Sequence, residues 1–170
     1  RSTEERRHMI KVTIADIVQQ EKFYIIVLLN EAESRILPIW IGEAEAQAIA
    51  AYYLEHPLSR PCTHDLMANL LEAAGVTLEE VRIETLEKMT FYAVAKLRIG
   101  DTIQEVDARP SDALALSLRM KAPIFVSEEV INKSKQIDLA SDPEDTSEQG
   151  KKWQDILEKL NPEDFGKYKM

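Results

Sequence analysis

Three runs of apolar residues near the start of the chain predict three β-strands. In Met9–Val18, isoleucine and valine alternate with polar or small residues, which is the period of a half-buried strand. Phe23–Leu29 is apolar at every position and predicts a central strand that is covered on both faces. Arg35–Ile41 predicts a third strand, in which Pro38 favours an edge position or a bulge.

Two helices are predicted after these strands. Glu43–Tyr53 is rich in alanine, and we expect Glu43 and Glu45 to be the solvated first turn of a helix. His56-Pro57 interrupts the pattern, and a second helix is predicted from Thr63, its expected N-cap, to a stop at Gly75. Its expected inner face consists of Leu66, Met67, Leu70, Leu71 and Ala74.

The second half of the chain shows a similar order of elements. Strands are predicted over Val76–Leu86, Phe91–Ile99 and Thr102–Ala108, and Gly100-Asp101 is typical of the turn of a β-hairpin. A helix is predicted from Pro110 to Lys121, with Asp112 in its first turn. Its expected inner side consists of Ala113, Leu114, Leu116, Ser117 and Leu118. A short apolar stretch, Ile124–Val126, and a helical turn, Glu128–Ile131, are expected after it.

The two halves align without a gap at an offset of 68 residues, which places Phe23-Tyr24 on Phe91-Tyr92. We therefore predict an α+β fold in which duplicated β-β-β-α units form a barrel-like or two-sheet core with flanking helices. Residues 9–139 are expected to form this domain.

The end of the chain has a different composition. Residues 140–150 are polar without apolar periodicity and predict a linker. Residues 151–170 are expected to contain an amphipathic helix and a tail. Its apolar stripe consists of Trp153, Ile156, Leu157 and Leu160. Because such a short helix is marginal in water, we expect it to dock on its own domain or on a partner chain.

Composition limits the classes of function. The 170 residues carry 21 basic and 30 acidic side chains, a net charge of −9, which disfavours nucleic-acid binding through a broad basic face. No apolar run approaches the roughly 20 residues of a membrane helix, so no membrane association is expected. Residues 1–8 show no apolar signal region, and Cys62 is the single cysteine. We expect a cytoplasmic protein, and a homo-oligomer.

Two short segments concentrate the side chains that could carry chemistry. Arg60–Asp65 and Asp107–Asp112 each place arginine and aspartate at the start of a predicted helix, where outward backbone N–H groups favour anions. No CxxC pair, His-x-x-x-His helix, P-loop or GxGxxG motif is present, which excludes the common zinc and nucleotide folds.

The blocks that contain these segments resemble the bifunctional nuclease family. The blocks are LPIWIGEAEAQAIA (Leu37–Ala50), RPCTHDL (Arg60–Leu66), FYAVAKL (Phe91–Leu97), DARPSDALAL (Asp107–Leu116) and APIFVSEEV (Ala122–Val130). They occur in order and cover about Met9 to Ile131. The resemblance implies a duplicated, barrel-like α+β domain and, as in characterised plant members, degradation of both DNA and RNA.

For such a nuclease, the sequence offers candidate residues for each chemical role. The candidate catalytic residues are His64, Asp65, Asp107 and Asp112, with His64 as general base. The candidate phosphate-binding residues are Arg60, Arg109 and Ser111. Asp107 and Asp112 could hold Mg²⁺ or Mn²⁺, because hard divalent cations prefer carboxylate ligands.

Two other interpretations fit the same residues. The chain could be a non-catalytic regulatory domain that binds an anion or a partner, or a structural oligomer in which Arg60, Asp65, Arg109 and Asp112 pair with one another. A nuclease requires His64, Asp65, Asp107, Arg109 and Asp112 to converge on one open pocket. A purely structural role requires paired, buried arginines and aspartates.

Overall fold

The computed structural model describes residues 9–32, 34–134 and 137–138. Its strands are β1 (Met9–Gln20), β2 (Phe23–Asn30), β3 (Arg35–Ile41), β4 (Val76–Glu87), β5 (Thr90–Ile99), β6 (Thr102–Ala108), β7 (Ile124–Ser127) and β8 (Ile137–Asp138). Its helices are α1 (Glu43–Tyr53), α2 (Thr63–Ala73), α3 (Pro110–Met120) and α4 (Glu128–Lys133). The predicted α+β class is therefore confirmed. The linker and helix predicted over residues 140–170 lie outside the described residues.

All of these strands belong to one mixed sheet in the order β6-β5-β4-β7-β1-β2-β3-β8. β1 joins the two halves of the chain, because residues 9–12 pair with β7 and residues 13–20 pair with β2. The pairing of β4 with β7 is parallel. Within the described residues the sheet ends at β6 and β8 and does not close, so the barrel-like arrangement is not confirmed.

The position of Pro38 follows from the short pairing of β3 with β8. β8 pairs only with Arg35 and Ile36, whereas Pro38 pairs with Val27 of β2 on the other side. Among the described residues, no strand therefore pairs with Pro38 on its second side. The missing backbone N–H of the proline breaks no hydrogen bond of the sheet there. The prediction of an edge strand is confirmed at this residue.

Two sets of β-β-β-α elements occur in the chain, but their spacing differs from the predicted 68 residues. The elements β1, β2, β3 and α1 begin 67 residues before β4, β5, β6 and α3 respectively. An offset of 68 would align Phe23, which is 52% exposed, with Phe91, which is buried. An offset of 67 aligns Ile26 with Ala93, and both lie in the core. Common descent of the two units is not confirmed.

The core lies between the sheet and the helices, and α3 occupies its centre. Residues 113–117 of α3 are all buried, and residues 113–116 belong to one cluster with Ile26 and Leu28 of β2 and Val81 and Ile83 of β4. The other face of β4 and β5 is polar and carries ion pairs such as Lys96 to Glu80 at 3.3 Å. The α3 helix is therefore fixed from several sides, which makes its first turn a rigid support for side chains.

The inner face predicted for α2 is wrong at four of its five residues and correct at Leu71, which packs against the core. Leu66, Met67 and Leu70 are 53%, 39% and 60% exposed, and only Ala68 of this helix is fully buried. The reason is that α2 packs on α3 and β4, and that its residues at the core are Ala68 and Leu71. Its other large apolar side chains therefore face outward, which local periodicity cannot distinguish from an inward face.

Candidate functional site

The first turns of three helices meet at an open cavity of about 500 Å³. Its polar lining includes Glu45 of α1, Thr63 and His64 of α2, and Arg109 and Asp112 at the start of α3. Leu58 and Met67 are among its apolar lining. Helix N-termini carry partial positive charge and unpaired N–H groups. Three such termini at one cavity make it electrostatically suited to an anion.

The start of α3 is fixed by its local sequence. Pro110 occupies the first helical position, where it removes no hydrogen bond, and Arg109 is the extended N-cap at φ −71° and ψ 143°. Asp112 follows in the first turn, where a carboxylate is favoured by the helix dipole. This arrangement places Arg109 and Asp112 side by side at the cavity.

Asp112 brings together His64 and Arg109, which come from different parts of the chain. His64 Nε2 lies 2.9 Å from Asp112 Oδ1. Arg109 donates from Nε to Asp112 Oδ2 at 2.9 Å and from Nη2 to Asp112 Oδ1 at 3.3 Å. Burial opposes ionisation of Asp112, but the hydrogen bonds from Arg109 and His64 outweigh it and lower the pKa of the carboxyl.

Arg109 also contacts the first turn of α1. Its Nη1 donates to Glu45 Oε1 at 3.2 Å, so the guanidinium lies between two carboxylates, and its side chain is half exposed. The hydrogen bond to Asp112, its charge and the contact with Glu45 raise the pKa of Arg109 above its usual value. The residue is therefore a permanent cation at the mouth of the cavity. Glu45 thus takes part in the site, although the sequence predicts only a solvated helix start.

Asp65 follows His64 directly, yet it points to a different part of the molecule. Asp65 Oδ1 accepts a hydrogen bond from Arg119 Nε at 2.6 Å, and its Oδ2 accepts from the Cys62 backbone N–H at 2.9 Å and from Cys62 Sγ at 3.0 Å. Hydrogen bonds from Cys62, and then from Arg119, lower the pKa of Asp65 to about 2. Asp65 lines a second cavity of about 460 Å³ together with Tyr52 and Arg119.

These contacts also correct the predicted N-cap of α2. The helix begins at Thr63, so its N-cap is Cys62 rather than Thr63. Asp65, at the third helical position, reaches back to the N-cap N–H as the acidic member of a capping box does. Asp65 therefore stabilises the start of α2, and the structure gives it no place at the cavity of His64.

Arg119 is a residue that the sequence analysis missed. Its side chain is 3% exposed, and it also donates to Ala115 O and to Ala48 O, both at 2.9 Å. The guanidinium carbon lies 5.5 Å from the ring centre of Tyr52. Arg119 thus links α1, α2 and α3. The available signal was its position as the one basic residue in the otherwise apolar body of α3.

Besides Asp65, three predicted site residues are not brought to the cavity. Asp107 is exposed on β6 and is not among the residues that line the cavity. Arg60 is exposed and forms no ion pair within the described part of the chain. Ser111 is 1% exposed, and its Oγ has no hydrogen-bond partner among the described residues. The convergent set of predicted residues is therefore His64, Arg109 and Asp112.

The structural interpretation predicts that Arg60, Asp65, Arg109 and Asp112 pair with one another. Arg109 pairs with Asp112, whereas Asp65 pairs with Arg119, which lies outside that set. Asp65 and Arg119 form a pair in which the arginine is buried, as a purely architectural role requires. Arg109 and Asp112 are also paired, but they lie at an open cavity beside His64, and Arg109 is half exposed.

Among the described residues, no helix combines the length and the apolar character needed to cross a bilayer.

Comparison with known proteins shows which family this chain resembles. Residues 26–138 match the bifunctional nuclease domain. An uncharacterized protein of Mycobacterium tuberculosis is 41% identical over 154 residues, which cover 87% of this chain and 92% of the relative. Bifunctional nuclease 2 of Arabidopsis thaliana is 26% identical over 61% of this chain and 32% of its own length. Bifunctional nuclease 1 of Oryza sativa is 24% identical over 62% and 33% respectively.

Proposed function

Because the chain belongs to the bifunctional nuclease domain family, we propose that it hydrolyses phosphodiester bonds of DNA and RNA at the cavity between α1, α2 and α3. The observation that carries this proposal is the convergence of His64, Asp112 and Arg109 at three helix starts. An imidazole held by a carboxylate beside a cation is suited to activating water next to a phosphate.

His64 is the proposed general base. With Asp112 ionised, its Oδ1 accepts a hydrogen bond from Nε2–H of His64, which leaves the lone pair of the ring on Nδ1. Nδ1 then takes a proton from a water molecule whose oxygen attacks the phosphorus, and Asp112 stabilises the imidazolium that forms. The P–O bond to the leaving nucleotide oxygen breaks, that oxygen takes a proton from solvent, and the imidazolium returns its proton to solvent. Asp112 acts here as a positioning residue for His64.

Arg109 is the proposed phosphate ligand. A guanidinium has five N–H donors, and the described residues use three of them, two on Asp112 and one on Glu45. Two N–H donors therefore remain on the half-exposed guanidinium, and they can bind two oxygens of a phosphate. The first turns of α1 and α3 add backbone dipoles of the same sign.

The predicted metal site does not fit the described residues. Asp107 does not line the cavity, and the oxygens of Asp112 already accept hydrogen bonds from His64 and Arg109. Within residues 9–32, 34–134 and 137–138, no three His, Cys, Asp or Glu side chains are arranged to hold a metal ion. No step of the proposed mechanism runs through Mg²⁺ or Mn²⁺, and the role of either ion stays a prediction for assay.

Charge limits how the substrate is held. With Glu45 and Asp112 beside Arg109 and a net charge of −9, contact with nucleic acid is local rather than extended.

Cytoplasmic action fits the single cysteine. Association into a homo-oligomer fits the exposed leucines Leu58, Leu66 and Leu70 on and beside α2.

We infer that the two β-β-β-α units are copies offset by 67 residues. At this offset, Glu45 and Asp112 are equivalent third residues of α1 and α3, and both carboxylates contact Arg109. The site would then lie between two related helix starts. His64 comes from α2 and falls on Ile131 of α4 at this offset, so only one of the two units supplies an imidazole.

A cleavage assay with matched variants tests the proposal. Purified protein is incubated with labelled single- and double-stranded DNA and RNA, with Mg²⁺, Mn²⁺ or a chelator. His64→Ala and Asp112→Ala are compared with His56→Ala, which changes an exposed histidine that does not line the cavity. We expect cleavage by the native protein and by His56→Ala, and strong loss in the other two. Equal cleavage by all four proteins would identify a contaminant and refute the proposal.

A further inference from the structure

Among the residues that the structure describes, four buried aliphatic or aromatic side chains lie outside the core cluster, and all four are on one face of β2 and β3. They are Ile25, Val27, Ile36 and Trp40, which are 0%, 0%, 2% and 7% exposed. Their neighbours along the strands, such as Ile26 and Ile39, belong to the core cluster on the opposite face. We call the face formed by Ile25, Val27, Ile36, Pro38 and Trp40 the outer face.

The outer face is continuous across the two strands. Ile25 is the register partner of Trp40, and Val27 is the partner of Pro38, so apolar side chains stand next to one another along both strands. A seven-residue strand such as β3 extends over about 23 Å at the usual rise. The surface is therefore large enough to take a short helix along its length.

The cover of the outer face does not come from the described helices. The buried aliphatic side chains of α1 to α4, for example Ile49, Leu114 and Val130, all belong to the core cluster on the other side. The outer side chains are nevertheless buried within a single chain. Among the described residues, the outer face is therefore an apolar surface on which no helix packs.

Only one part of the chain outside those ranges can supply an apolar cover. Residues 1–8, residue 33 and residues 135–136 contain no aliphatic or aromatic side chain apart from histidine. Residues 139–170 contain the stripe of Trp153, Ile156, Leu157 and Leu160. This part of the chain begins beside the outer face, because β8 pairs with Arg35 and Ile36. The stretch 139–152 can span up to about 46 Å, which is ample for the distance.

We propose that residues 151–160 of this chain cover the outer face of β2 and β3 with the stripe that begins at Trp153. Burying such a stripe would offset the free energy of ordering a short helix that is marginal alone. The segment is then an integral part of the domain rather than a docking arm for another protein.

Trp40 and Trp153 are the only two tryptophans, so the fluorescence of Trp40 can test the proposal. The full chain with Trp153→Phe keeps an apolar ring at the stripe and leaves Trp40 as the single emitter. Into this protein we introduce Leu157→Asp, or Gln154→Asp as a control that adds the same charge outside the stripe. We expect Leu157→Asp to shift Trp40 emission to the red and to increase its quenching by acrylamide several-fold, while the control changes neither.

Three outcomes are decisive. Equal quenching of Trp40 in both variants, with native circular dichroism, would overturn the proposal. If Leu157→Asp does not fold, Leu157→Ala in the same chain should still increase quenching, and no increase would overturn it. If a second copy covers the face instead, quenching of the parent protein would rise on dilution in step with dissociation seen by light scattering. None of these measurements depends on nucleic-acid cleavage.

Discussion

His64 Nε2 and Asp112 Oδ1 lie 2.9 Å apart, although 48 residues separate them along the chain. The contact joins the first turn of α2 to the first turn of α3, and Arg109 holds the same carboxylate from the other side. Each of these residues belongs to an ordinary helix start. The three side chains meet because the helices pack against one another.

Removal of the imidazole should affect turnover rather than substrate binding. In His64→Ala we expect kcat to fall about 10² to 10⁴-fold with little change in KM, because a general base acts in the transition state. Steady-state cleavage of labelled RNA and DNA over a range of substrate concentrations measures both parameters. A parallel rise in KM with unchanged kcat would assign His64 to substrate binding instead.

The shape of the Arg109 side chain should matter as well as its charge. Arg109→Lys keeps the cation but cannot hold Asp112 through two N–H groups while it binds phosphate, so we expect KM to rise about tenfold. Arg98→Lys is the matched control, since Arg98 is 49% exposed against 50% for Arg109 and pairs with Glu79 away from the cavity. Equal effects of the two variants would contradict a specific phosphate contact.

Glu45 should weaken anion binding in the native protein. It places a second carboxylate on Arg109, so we expect Glu45→Gln to tighten binding of inorganic phosphate about 3-fold to 10-fold at low salt, and less at high salt. Titration calorimetry at two ionic strengths measures the change. Glu43 lies in the same helix turn but contacts Gln47. Glu43→Gln therefore removes a charge from this turn and should have little effect on phosphate binding.

A change at Gly42 should act in the same direction as Glu45→Gln. A Cβ added at this position would overlap with Glu45 Oε2, and φ of −77° leaves the backbone unstrained. Because the overlapping atom is the end of a flexible side chain, we expect Gly42→Ala to displace Glu45 from Arg109 with little loss of stability. Phosphate binding no tighter than in the native protein would show that Glu45 does not compete for Arg109.

Asp65 should contribute stability that depends on pH. Its pKa in the folded protein is about 2, below the ordinary 3.8, so its contribution is present above about pH 4 and is lost as the pH falls towards 2. At neutral pH we expect Asp65→Asn to lower the free energy of unfolding by about 1 to 3 kcal/mol, because buried Arg119 loses its charged partner.

Urea unfolding at several pH values checks this dependence. The difference in stability between the native protein and Asp65→Asn should shrink between about pH 4 and pH 2. Asp101→Asn, a change in an exposed hairpin turn, serves as the control and should leave stability nearly unchanged. A constant difference across this range would mean that the Asp65 charge does not stabilise the fold.

Most element boundaries could be predicted from the sequence because they depend on local chemistry. Pro110 fixes the first turn of α3, and Gly100, with φ of +60°, permits the turn between β5 and β6. The bounds predicted for α1, β3 and β6 agree with the structure at both ends. The same local motifs also identified His64, Arg109 and Asp112 as candidates.

Tertiary structure decided which candidates meet. Neighbouring residues of a helix point about 100° apart, so His64 and Asp65 face different cavities once α2 is packed. The exposure of Leu66 and Leu70, the burial of Arg119 and the contact of Glu45 with Arg109 likewise depend on where three helices lie on one sheet. Sequence determined the helices and their chemical content, because those depend on near neighbours. Packing alone determined the site, because its members are distant in the chain.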